Sequence, residues 1–115
     1  MLGYTADMTD GLHALAEETS LELHRLVAEA LRGEPARLEA ARRRVQAWLA
    51  DGSVPRPVAE AWQGVLAQPV DEVVAFLCDA GPRARQLRQS SPFAGFLSAR
   101  QRWNAWRRVR AGRRA

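Results

Sequence analysis

The sequence predicts an all-α fold: a compact bundle of five or six helices that starts with an antiparallel helical hairpin. Three observations predict it. Apolar residues recur at three- and four-residue spacing through most of the chain. Proline and glycine gather between these periodic stretches, at Gly33-Glu34-Pro35, residues 52–57, Pro69, Gly81-Pro82 and Pro92. The chain has 115 residues, which suits one domain, read as 1–115.

Residues 1–8 read as a loose leader. A first helix is expected to begin near Thr9 or Asp10, both good N-caps. Its stripe is Leu12, Leu15, Thr19, Leu23, Leu26, Val27, Ala30 and Leu31, and Gly33 is a natural stop. Pro35 suits the first position of a second helix, with Leu38, Ala41, Val45, Trp48 and Leu49 inward and Asp51-Gly52 at its end. So short a connection between two helices implies the antiparallel hairpin. Gly52-Ser-Val-Pro-Arg-Pro57 is a structured loop.

A third helix is expected over about 57–67, burying Val58, Trp62, Val65 and Leu66. The fourth starts at Pro69, with Val70, Val73, Val74, Leu77 and Cys78 inward. Its valines favour a strand locally, but acids in its first turn and the Gly81-Pro82 stop favour a helix. Pro82 opens a short basic helix to about Gln89. Residues 90–96 form a turn. Ser98-Ala-Arg-Gln101 is a capping-box pattern opening a last helix to about Arg110. Residues 111–115 are expected to fray as a basic tail.

Composition narrows the chemistry. With one cysteine, Cys78, neither an internal disulfide nor a multi-cysteine zinc site can form. Acids near the N-terminus and no long apolar run argue for a cytoplasmic protein without a membrane partner. There is no phosphate-binding glycine loop, nucleophile elbow or Ser-His-Asp arrangement. Two histidines, one tyrosine and no lysine leave few general acids and bases. His13 and His24 share a helix face but stand about 16 Å apart along the axis, too far for one ion. Cys78 lies on an apolar stripe and reads as packing. The expectation is a non-enzyme with no catalytic, cofactor-binding or metal-binding residues.

The charge is split along the chain. Residues 1–79 carry 7 arginines and 13 acids; residues 80–115 carry 10 arginines and no acid. Such asymmetry points to an interaction surface. The basic third could meet nucleic-acid phosphates, an acidic protein partner, or the acidic first helix, in cis or across a homodimer. The candidate surface is Arg83, Arg85, Arg88, Arg100, Asn104, Arg107, Arg108 and Arg114. In the last helix, Trp103, Trp106 and Val109 are expected to fill the core while Arg100, Asn104 and Arg107 face out. Residues 76–89 also have the layout of a helix-turn-helix whose second helix carries Arg83, Arg85, Gln86, Arg88 and Gln89. Leu77 and Pro82 depart from that pattern.

Leu87-Arg-Gln-Ser-Ser-Pro-Phe-Ala-Gly-Phe-Leu97, followed by Arg100 and Arg102-Trp103, resembles a C-terminal stretch of short uncharacterised bacterial proteins associated with toxin–antitoxin-like gene pairs. The resemblance covers roughly residues 60–110. It implies a bacterial origin and a toxin-like protein partner, and offers no catalytic residue to carry over. The functional expectation is a non-catalytic protein-interaction module, the neutralising, antitoxin-like member of such a pair. The alternative is a nucleic-acid-binding regulator using the basic C-terminal third.

Overall fold

The computed structural model describes the backbone of residues 2–114 and the side chains of residues 11 and 13–112. Among these it holds six α-helices and no strand: α1 (Leu2–Gly33), α2 (Leu38–Asp51), α3 (Arg56–Leu66), α4 (Val70–Leu77), α5 (Pro82–Arg88) and α6 (Ala99–Arg114). The all-α bundle is as expected, and local punctuation explains its boundaries. Gly52 ends α2 in the left-handed conformation (φ 70°), which glycine adopts without strain, and its N–H closes on Trp48 O. Prolines open α3 and α5 within their first two positions. Ser98 and Gln101 form the anticipated reciprocal capping box: the Gln101 N–H donates to Ser98 Oγ (3.1 Å) and the Ser98 N–H to Gln101 Oε1 (2.8 Å).

Two ends differ from expectation. α1 is helical from Leu2, so residues 2–8 continue the first helix instead of forming a leader; the side chains of residues 1–10 lie outside the described residues. α6 runs on to Arg114, past the expected stop near Arg110. Nothing in residues 111–114 opposes a helix except Gly112, whose cost is only about 1 kcal/mol.

α1 is the spine. Its 32 residues at about 1.5 Å each match the molecule's longest extent of 47 Å. α4 and α6 pack on it, and α2 packs on α3. The short connection after Gly33 is present, as a 3-10 turn at Pro35–Arg37 that touches both α1 and α2. Direct contacts between these two helices are few, and α2 packs chiefly on α3, while residues of α1 and α2 share one core. The reason is which stripes are free. α1 is occupied by α4 and α6, while α3 presents Ala59, Trp62, Val65 and Leu66, all buried. Arg42 Nε ties the α2–α3 pair by donating to Leu66 O (2.8 Å).

Trp62 stands at the centre, fully buried. Its indole N–H donates to Leu87 O (3.1 Å), and its ring meets Phe76 and Phe93 edge-on at centroid distances of 5.7 and 6.1 Å. Such pairs add about 0.5–1.5 kcal/mol each beyond the area buried. Cys78 is half-buried against the same core, as expected for a packing residue.

The loop between α5 and α6 is fastened from three sides. Pro92, Phe93 and Leu97 are buried. From α1, the His24 ring bridges Ser20 O (Nδ1, 2.7 Å) and Ser91 Oγ (Nε2, 2.8 Å). Since Ser20 O can only accept, Nδ1 carries the proton, and Ser91 donates to Nε2 while accepting from the Phe93 N–H (3.1 Å). Arg44 of α2 donates to Pro92 O (3.2 Å) and Ala94 O (2.6 Å). Arg37 donates to Phe96 O (2.9 Å) and lies over the Phe96 ring, 4.8 Å from its centroid. Every buried side-chain N or O among the described residues has a partner. Burial pushes the His24 pKa below 6.5, and nearby Arg88 adds to this; the Ser20 hydrogen bond opposes it.

Candidate nucleic-acid interface

The basic C-terminal third divides into arginines engaged by the fold and arginines facing solvent. Arg88 is a correction to the sequence reading. It is buried, not part of a surface, and its guanidinium donates to Asp79 O (2.6 Å) and Leu77 O (3.4 Å). Those carbonyls close α4, so Arg88 caps the C-terminal end of that helix. Burial pushes its pKa below the ordinary arginine value, without displacing it from the charged form that the carbonyls favour.

Arg85 and Arg108 stay exposed but reach back to acidic α1. Arg85 pairs with Glu17 (3.2 Å), and Arg108 with Glu22 (2.6 Å), which also meets Arg25 (3.6 Å). Two of the charges read as a partner surface are thus neutralised in cis. The helix-turn-helix reading of α4–α5 weakens for the same reason. Of the five side chains assigned to its recognition helix, Arg88 is buried and Arg85 is held by α1. α5 is also only 7 residues long and packs against α1, α3 and α4.

Arg83, Arg100, Asn104 and Arg107 are exposed, and none of their side chains has a hydrogen bond or ion pair to the described residues. The last three lie on α6, which carries no acid. The side chain of Arg114 lies outside the described residues.

What α6 presents follows from how it docks. Ala105 is fully buried, Val109 half-buried, Arg102 donates to Leu97 O (2.8 Å) and Arg108 reaches Glu22. These residues define the side against α1. Trp103 and Arg107 stand two positions either side of Ala105, about 200° around the helix in each direction. They therefore point away from the bundle. Trp103 is 55% exposed and Trp106, a quarter-turn off the inner face, is 36% exposed. The expectation that this Trp pair fills the core is overturned. Ala105 is the inward residue, because its small side chain lets α6 approach α1 closely; two indoles there would hold the helices apart.

The exposed indoles are ordered. Trp103 and Trp106 stack nearly parallel, with centroids 4.9 Å apart and planes at 15°. The Arg110 guanidinium lies over Trp106, 4.1 Å from its centroid. Around them no Leu, Ile, Met or Phe is exposed on α6. The outer face is therefore two indoles in a field of arginine.

No grouping of three or more His, Cys, Asp or Glu able to hold a metal occurs among the described residues. No helix among them is long and apolar enough to cross a membrane. Comparison with protein-family models, with curated proteins and with solved structures returns no match.

Proposed function

We propose that this chain is a non-catalytic nucleic-acid-binding module whose binding surface is the outer face of α6. One observation carries the reading: an exposed tryptophan stack flanked by arginines, on a helix without a single carboxylate. Arginine supplies phosphate contacts that position the ligand, and aromatic rings supply stacking. Asn104 adds a side chain able to hydrogen-bond a base edge. Buried His24 is committed to Ser20 and Ser91 and contributes no free acid or base.

The test is fluorescence anisotropy with labelled RNA and DNA at low and physiological salt. Replacing Arg100, Arg107 and Arg110 together with alanine leaves the docked side of α6 intact. The reading expects at least tenfold weaker binding and a shallower salt dependence, by about 0.7–0.9 in log–log slope for each phosphate no longer neutralised. Absence of binding at low salt would overturn it.

A second reading keeps the toxin–antitoxin resemblance: the same face docks an acidic protein partner. Tryptophan and arginine are the residues enriched at interface hot spots, and this favours it. Against it, the two tryptophans are the only exposed large apolar side chains among the described residues, a small apolar centre for a protein interface. The most particular part of the resembling segment, Ser91–Leu97, is also occupied in holding the fold.

A further inference from the structure

The indole column on α6 has a closed end and an open end. Trp106 is covered on one side by the Arg110 guanidinium and on the other by Trp103. Arg110 is four residues after Trp106 and Trp103 three before it, so the order along the axis is Arg110, Trp106, Trp103. Trp103 has one ring face against Trp106 and, among the described residues, no guanidinium over the other, and it is the most exposed large apolar side chain described. Arg100 and Arg107 lie about one turn to either side of Trp103, both exposed and unpaired.

We propose that the open face of Trp103 stacks on an unpaired base, which makes single-stranded nucleic acid the ligand of this surface. The inference rests on the nucleic-acid reading above and deepens it. A flat π surface with cations on both sides complements a base with a phosphate on both sides. Duplex bases have both faces covered by their neighbours, so a duplex offers this column no ring to stack on and can meet only the arginines. An unpaired base offers its face whatever its identity, so the site tolerates many sequences. Arg110 closes the far end, which confines stacking to Trp103 and gives the strand one entry position. The contact is to the base face, so it serves DNA and RNA single strands alike.

The experiment compares oligo(dT), oligo(U), a mixed-sequence duplex and heparin, a polyanion without bases. Each is titrated against the full chain and against W103A and W103F, at one low salt concentration. The wild type is expected to bind both single strands about tenfold more tightly than the duplex, with quenching of tryptophan fluorescence only for the single strands. W103A is expected to lose about that tenfold for single strands and to leave duplex and heparin unchanged, while W103F recovers most of the loss. Equal affinity for single strand and duplex, with W103A weakening neither, would overturn the stacking site and leave the nucleic-acid reading standing. Equal weakening of heparin and single strands by W103A would also overturn it, since a base-independent loss is not stacking. Binding to none of the four probes would remove the nucleic-acid reading itself.

Discussion

The loop Ser91–Leu97 and helix α6 adjoin in the chain and use the same residue types in opposite ways. In the loop, Phe93 and Leu97 face inward, and arginines from elsewhere close over its carbonyls. In α6, the aromatics face outward and the arginines come from the helix itself. The difference lies in what each segment must satisfy. A buried loop has backbone groups that no helix pairs: Arg37 and Arg44 donate to its carbonyls, and Ser91 Oγ accepts from the Phe93 N–H. A helix satisfies its own backbone, so the side chains of α6 are free to face a ligand. One region converts arginine and aromatics into stability, and the other holds them available for binding.

That contrast can be broken from the stability side. The largest effect is expected for Trp62→Ala, which removes the indole that joins α3, α4 and the loop: a loss of about 3–5 kcal/mol, read by urea denaturation. A loss near zero would mean that the core closes without it. His24→Ala removes the acceptor of Ser91 Oγ and is expected to cost about 1–3 kcal/mol. The same residue gives a pH signature. Its folded pKa lies below the ordinary 6.5, so the unfolded chain binds the proton more readily. Its contribution is complete above pH 6.5 and is lost as pH falls through 6.5 toward the folded value. Denaturation midpoints of wild type and H24Q should therefore converge on acidification; parallel pH profiles would contradict the assignment.

Arg44→Ala, which frees Pro92 O and Ala94 O at a partly exposed site, is expected to cost about 1 kcal/mol. Trp103→Ala sharpens the comparison most, because its stability effect should be within about 0.5 kcal/mol while single-strand binding falls. A large destabilisation by W103A would mean that the stack belongs to the fold after all.

Much of this molecule was legible in the sequence, and the gaps have physical reasons. The boundaries of α2 to α5 follow from Pro35, Gly52, Pro57, Pro69 and Pro82, because proline and glycine act locally and need no tertiary information. The capping box at Ser98 and Gln101 was legible for the same reason. Partnering was not. Trp48 and Leu49 lie on the predicted stripe of α2 but are only half-buried, and the stripe faces α3 rather than α1. Which helix a stripe meets depends on every other stripe at once. Arg88 failed as a surface residue because its acceptors, Leu77 O and Asp79 O, exist only once α4 ends where it does. In α6, hydrophobicity named the tryptophans as the inward side, yet side-chain volume chose Ala105.

Four tryptophans placed in three environments provide the most direct test. Their indole N–H signals can be followed in a nitrogen–proton correlation spectrum while oligo(dT) is added. The account predicts that the Trp103 and Trp106 signals shift, whereas Trp62, held on Leu87 O inside the core, stays in place together with half-buried Trp48. Shifts at Trp62 or Trp48 with Trp103 unmoved would place the binding surface elsewhere and contradict the central claim for α6.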